Sequence, residues 1–143
     1  LDQVYWCVTK KNPFKNKAFL SLPERIKRSK IMTNKVKKIK IKFLEDKIKS
    51  NNTVDLIKYF KKKNKKNIFY LIIGSDNLIT FHKWKNWRLL MELSKIVVFS
   101  RKDYDKKAKK SVTMKLVKKL IFIKNKPINI SSTQIKKKYL KII

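Results

Sequence analysis

The stretch IFYLIIGSDNLITFHKWKNW, Ile68–Trp87, decides how this chain is read. Six apolar residues run from Ile68 to Ile73 and stop at Gly74, the only glycine among 143 residues. A continuous apolar run of that length reads as a buried strand, of the kind found in parallel sheets covered on both faces. Asp76 follows two residues past the glycine. Asn77–Phe81 then reads as a short helix and Trp84–Leu93 as a longer one.

The same alternation continues on both sides. Upstream, Val4–Val8 is a strand-like run and "TKKNPFKNK" a polar loop. "SLPE" at Ser21–Glu24 is a capping-box pattern, in which Ser21 accepts from the Glu24 amide while Glu24 reaches back. Pro23 suits a first turn, so a helix is expected to about Asn34. "IKIKF" at Ile39–Phe43 alternates like a strand. "TVDLIKYFKKK" from Thr53 places Val54, Ile57 and Phe60 at helical spacing. Downstream, "KIVVFS" from Lys95 is a strand and "DKKAKKSVTMKLVKK" from Asp105 a helix. "LIFIK" from Leu120 is a strand, and "SSTQIKKKYL" from Ser131 a helix with hydroxyl caps. Strand and helix alternate throughout, which specifies an α/β fold with an open, mostly parallel sheet flanked by helices. No internal repeat or linker divides the chain, so residues 1–143 are read as one domain.

Composition narrows the function classes. Lys and Arg number 40 against 9 Asp and Glu, a formal net charge of +31. Such an excess attracts polyanions. Only Arg25, Arg28, Arg88 and Arg101 are arginines, and readers of base edges and phosphates favour the arginine fork. The lysine excess is therefore read as compositional, with nonspecific polyanion binding and no specific nucleic-acid site. The 43% hydrophobic content argues against general disorder. Cys7 is alone, so no internal disulfide forms, and a reducing cytoplasm is the expected compartment. No apolar run reaches the roughly 18 residues that span a bilayer, and the first residues lack the pattern of a signal peptide. The chain has no initiator Met and opens directly on a strand, so residues upstream of Leu1 are expected.

In an open α/β sheet, ligands bind beyond the carboxyl ends of the strands. Gly74 is expected at such an end, where it either admits a ligand to the backbone, adopts positive φ, or simply turns the chain. Asp76 is placed to accept from ribose hydroxyls or to cap a helix. Trp84 and Trp87 offer flat faces to a base, although Trp87 shares helical spacing with Leu90 and Met91 and so reads as core. "NISSTQIK", Asn129–Lys136, follows a strand and opens a helix. Its Ser131, Ser132 and Thr133 hydroxyls, with free amides and Lys136 one turn in, make either an anion site or a plain cap.

"IGSDNLITFHKW", "IVVFSRKDY" and "INISSTQIK", in that order, resemble the bacterial nicotinate-nucleotide adenylyltransferase family of the nucleotidylyltransferase superfamily. "VTKKNPFK" and "NNTVDLIKYF" resemble it too, so the likeness covers nearly the whole chain. The resemblance implies a Rossmann-like fold and adenylyl transfer from ATP to nicotinate mononucleotide in NAD biosynthesis, with Mg2+ held mainly by the ATP phosphates. It implies that Gly74 and Asp76 contact the nucleotide part of the substrates and that Trp84 stacks on the pyridine ring. Thr53 is implied near the pyridine carboxylate. Ser131, Ser132, Thr133 and Lys136 are implied at the ATP phosphates, with Lys15 assisting. His82 sits inside the family's ligand loop and is read as structural. The family carries Arg where this chain has Lys136, which keeps the charge and loses the fork. The family also opens with a strand and a glycine-rich turn bearing an H-x-G-H pair, which is absent here. The expectation is therefore a sheet missing its first strand–turn–helix unit. An inactive remnant of such an enzyme and a basic nucleic-acid-binding protein are the competing readings.

Overall fold

A computed structural model describes residues 1–10, 19–117 and 120–125. Contacts divide the chain into two compact units, residues 1–51 and 52–143. The five described strands pair as two parallel sheets rather than as the one expected from the alternation, a two-stranded and a three-stranded one.

In the first unit, β1 (Val4–Cys7) pairs with β2 (Ile39–Lys42), Val4 opposite Ile39 and Trp6 opposite Ile41. Between them lies α1 (Leu22–Thr33), whose start follows from its sequence. Ser21 Oγ accepts from the Glu24 amide at 3.3 Å, and Pro23 sits in the first turn. Glu24 does not reach back to complete the capping box. Its carboxylate instead accepts from Arg28 Nε at 2.6 Å, one turn along, because a charged partner at i+4 outcompetes a neutral amide. Arg25 anchors the helix start through three backbone carbonyls: Leu20 at 3.2 Å, Thr9 at 2.6 Å and Lys10 at 2.8 Å. A one-turn helix, α2 (Glu45–Ile48), follows β2. Its Glu45 accepts from the Lys10 amide at 3.0 Å, and Asp46 pairs with the Lys10 ammonium.

In the second unit, α3 (Thr53–Lys63) precedes β3 (Tyr70–Gly74). Then come α4 (Ser75–Thr80), a 3-10 turn at Phe81–Lys83, α5 (Trp87–Leu93) and β4 (Lys95–Phe99). The expected helix from Asp105 is two short ones, α6 (Asp105–Lys109) and α7 (Val112–Leu116), before β5 (Leu120–Ile123). The break has a local cause. Ser111 Oγ accepts from the Met114 amide at 3.3 Å and so caps a new helix. The strands lie in the order β3-β4-β5, all parallel.

Val54 and Ile57 of α3, Ile73, Ile96 and Val98 of the sheet, Leu78, Phe81, Leu90 and Ala108 form the core. Strand alternation sorts the faces. Ile73 is buried while Ile72, its neighbour, is 42% exposed. In β4 both Val98, beside Ile73, and Val97, beside Ile72, are buried, so the exposure at Ile72 belongs to β3, at the sheet edge among the described residues.

Candidate functional site

Gly74 and Phe99 are opposite one another in the β3–β4 pair, so the two carboxyl ends lie side by side. The residues just beyond them, Ser75 and Asp76 from β3, Ser100 and Arg101 from β4, are therefore neighbours. α4 starts at once after Gly74, with no connecting residue.

Hydrogen bonds lock the two ends together. The Arg101 amide donates to Ser75 Oγ at 3.0 Å and to Asp105 Oδ1 at 3.1 Å. The Ser100 hydroxyl donates to Asp105 Oδ2. Ser75 itself is wholly buried. Burial acts to raise the Asp105 carboxyl, and the Ser100 and Ser75 hydroxyls, the Arg101 amide and the nearby Lys109 charge outweigh it. The net effect holds Asp105 below the usual carboxylate range, so it is ionised at neutral pH. The Arg101 guanidinium, held in this way at its backbone, reaches Asp76: Nη1 lies 3.1 Å from Oδ2.

The pairing leaves the other Asp76 oxygen distinctive. Oδ1 is buried with no hydrogen-bond partner among the described residues. A buried carboxylate oxygen without a donor is costly, and Glu45 Oε1 is the other such oxygen among the described residues. The lone glycine has its explanation here. Gly74 has φ −85° and ψ 160°, extended backbone open to any residue, so positive φ is not its reason. A Cβ on Gly74 would instead overlap Asp76 Oδ1 and stand 2.8 Å from Arg101 Nε. The missing side chain makes room for the Asp76–Arg101 pair over the strand end.

Trp84 follows the 3-10 turn. Its ring lies 5.1 Å from the fully buried Phe81 ring, tilted by 47°. Phe81 thus backs the half-buried indole, whose Nε1 has no partner among the described residues. Trp87 packs edge-on to Phe81 at 6.4 Å and carries Arg88 over its ring at 4.7 Å, and like Trp84 it packs against the core. His82 is half-buried, with Nδ1 unpartnered among the described residues. Thr53 is half-buried in the first turn of α3. Among the described residues, no hydrogen bond joins it to the β3–α4 segment. Lys15, Ser131, Ser132, Thr133 and Lys136 lie outside the described residues.

Ser75, Arg101 and Asp105 were not among the residues singled out in the sequence. A signal for Arg101 was present: it is one of four arginines in a chain where lysine is the default cation, directly after a strand. Asp105 and Ser75 carried none, since both read as ordinary helix-start residues.

The fold is a parallel α/β one, and residues 1–138 match the profile of the family described as cytidylyltransferase-like. A relative from Pelagibacter ubique, named "Probable nicotinate-nucleotide adenylyltransferase", is 46% identical over 139 residues, covering 96% of this chain and 77% of the relative. One of the same name from Aquifex aeolicus is 31% identical, covering 92% and 82%. The relative from Erythrobacter litoralis is 32% identical, but the chain spans about half of its length, 52%. The solved structure of Plasmodium falciparum nicotinic acid mononucleotide adenylyltransferase complexed with NaAD has the same fold. Its TM-score is 0.74 at 20% identity, covering 96% of this chain and 69% of that one. The chain belongs to the cytidylyltransferase-like family and, within it, to the nicotinate-nucleotide adenylyltransferases.

Proposed function

We propose that the chain transfers the adenylyl group of ATP to nicotinate mononucleotide, giving nicotinate adenine dinucleotide and pyrophosphate, in the cytoplasm. The observation that carries the reading is the buried, unpartnered Asp76 Oδ1 at the carboxyl ends of adjacent parallel strands. It is an acceptor set where a nucleotide's ribose hydroxyl can donate. Gly74 makes room for the Asp76–Arg101 pair, Arg101 occupies Oδ2, and Oδ1 is the oxygen left without a donor among the described residues.

In the reaction, an oxygen of the mononucleotide phosphate attacks the α-phosphorus of ATP, and pyrophosphate departs. No covalent intermediate is required, so catalysis consists of positioning and charge stabilisation. Trp84, backed by Phe81, is assigned to the pyridine ring and Thr53 to its carboxylate. Lys15, Lys136 and Ser131–Thr133 are assigned to the phosphates. Among the described residues there is no cluster of three or more His, Cys, Asp or Glu. Mg2+ is assigned to the ATP phosphates and water, where it would neutralise charge on the leaving group. Among the described residues, no helix is long and apolar enough to cross a membrane.

The test is titration of the chain with nicotinate mononucleotide and with ATP, alongside pyrophosphate release when both are present. Both are expected to bind. Stacking on an aromatic ring contributes about 1–3 kcal/mol, so Trp84→Ala should weaken the mononucleotide by about 5- to 150-fold and ATP much less. A chain that binds neither nucleotide refutes the proposal, and equal losses for both would make Trp84 scaffold.

A further inference from the structure

Asp105 makes no described hydrogen bond to Asp76, yet both of its carboxylate oxygens hold the start of the Arg101 loop. It takes the Arg101 amide on one oxygen at 3.1 Å and the Ser100 hydroxyl on the other. The same amide is shared with Ser75, which is wholly buried and adjoins Asp76 in sequence. The Arg101 side chain, by contrast, is 61% exposed, and its one described ion pair is with Asp76. A long, exposed side chain does not hold one position through a solvent-exposed ion pair alone, since its rotamer entropy rivals the gain. Holding its backbone amide sets the point from which the side chain starts toward Asp76.

We propose that Asp105 is a positioning residue for nucleotide binding: it clamps the Arg101 amide against Ser75, so that the guanidinium covers Asp76 Oδ2 and directs the nucleotide to Oδ1. The proposal rests on the reading of Asp76 as the nucleotide's acceptor. Asp105 reaches the substrate only through Arg101, and this gives a signature that a purely stabilising residue lacks. Removing Asp105 should matter to binding only while the Arg101 side chain is present.

The experiment compares Asp105→Ala, Arg101→Ala and the double variant in the full chain. It measures nicotinate mononucleotide affinity, thermal stability, and hydrogen exchange at the Arg101 amide. Asp105→Ala is expected to accelerate that exchange and to weaken the mononucleotide about 10-fold, the loss of one hydrogen bond's worth of placement. In the Arg101→Ala background, the same change should still lower the melting temperature and leave affinity unaltered. Asp105→Asn should retain most of the affinity, because its oxygen can keep the Arg101 amide while Ser100 turns to accept from its NH2. It also serves as the readout if the alanine variant does not fold. Equal affinity losses in both backgrounds would overturn the proposal, as would wild-type affinity in Asp105→Ala. If the wild-type chain binds no nucleotide, the reading of Asp76 fails. The clamp is then judged by exchange alone, and an unchanged Arg101 amide in Asp105→Ala overturns it.

Discussion

Gly74→Ala separates a glycine kept for a ligand from one kept for the fold. The backbone at Gly74 is extended, with φ −85°, so alanine brings no conformational strain. Loss of glycine's freedom in the unfolded chain even favours folding, by about 0.4–1 kcal/mol. The new Cβ does overlap Asp76 Oδ1 and stands 2.8 Å from Arg101 Nε and 3.1 Å from its Cδ. Those atoms belong to side chains: the Arg101 side chain is 61% exposed and can swing away, and the Asp76 carboxylate must turn to move Oδ1 off the new Cβ. What is lost is an ion pair contributing about 0.2–1 kcal/mol. The two terms nearly cancel, and stability should change by less than about 1 kcal/mol, a melting shift within about 3 °C. Binding should respond differently. Oδ1 is displaced from its buried position, and a hydrogen bond to a charged group contributes about 1.5–3 kcal/mol. Mononucleotide affinity should fall about 10- to 150-fold. Calorimetric titration beside a thermal melt measures both. Unchanged affinity would refute the assignment of the crowded strand end to a ligand, and a collapsed melting temperature would show that the Cβ overlap cannot be relieved by side chains.

Arg25→Lys should destabilise the chain by about 1–2 kcal/mol, lowering the melting temperature by about 3–6 °C, because one ammonium cannot span the carbonyls of Leu20, Thr9 and Lys10; a shift under about 1 °C would show that the fork is dispensable. Burial raises the Cys7 thiol from 9.0 to about 11, partly offset by Lys42, which leaves about 100-fold less thiolate at neutral pH than an unperturbed thiol has. Iodoacetamide should therefore label native Cys7 about 100-fold more slowly than the unfolded chain at pH 8, and comparable rates would contradict the burial. Since the folded-state value is raised, this stabilisation is present below pH 9 and is lost as pH rises toward about 11.

What the sequence disclosed is what local chemistry controls. α1 was legible from Ser21 and Pro23, because capping and a preset φ act within a few residues. β3 was legible as an apolar run closed by a glycine. α2 escaped because four residues hold too little of a helical period to register. The region from Asp105 reads as one helix by composition, and splits because Ser111 offers its hydroxyl to the Met114 amide. At the site, Gly74 and Asp76 could be read by their place after a strand, but the reason for the glycine could not. The crowding comes from Arg101, which is distant in sequence and reaches the strand end only once β3 and β4 pair. Asp105 was hidden for the same reason: its partners Ser75 and Arg101 meet only in the folded sheet.

The arginines carry the general lesson about the +31 charge. Lysine supplies most of the cations of this chain, including those over the Phe43, Tyr59, Tyr70 and Phe122 rings, and the four arginines are spread over different tasks. Arg25 spans three carbonyls. Arg28 holds Glu24 along one helix face at 2.6 Å. Arg88 lies over the Trp87 ring at 4.7 Å. Arg101 stretches from a clamped backbone to one oxygen of Asp76. Arg25 alone spreads its fork over three carbonyls, whereas Arg28 reaches Glu24 through Nε and Arg101 reaches Asp76 through Nη1. The net charge therefore describes the solvated surface and its indiscriminate pull on polyanions.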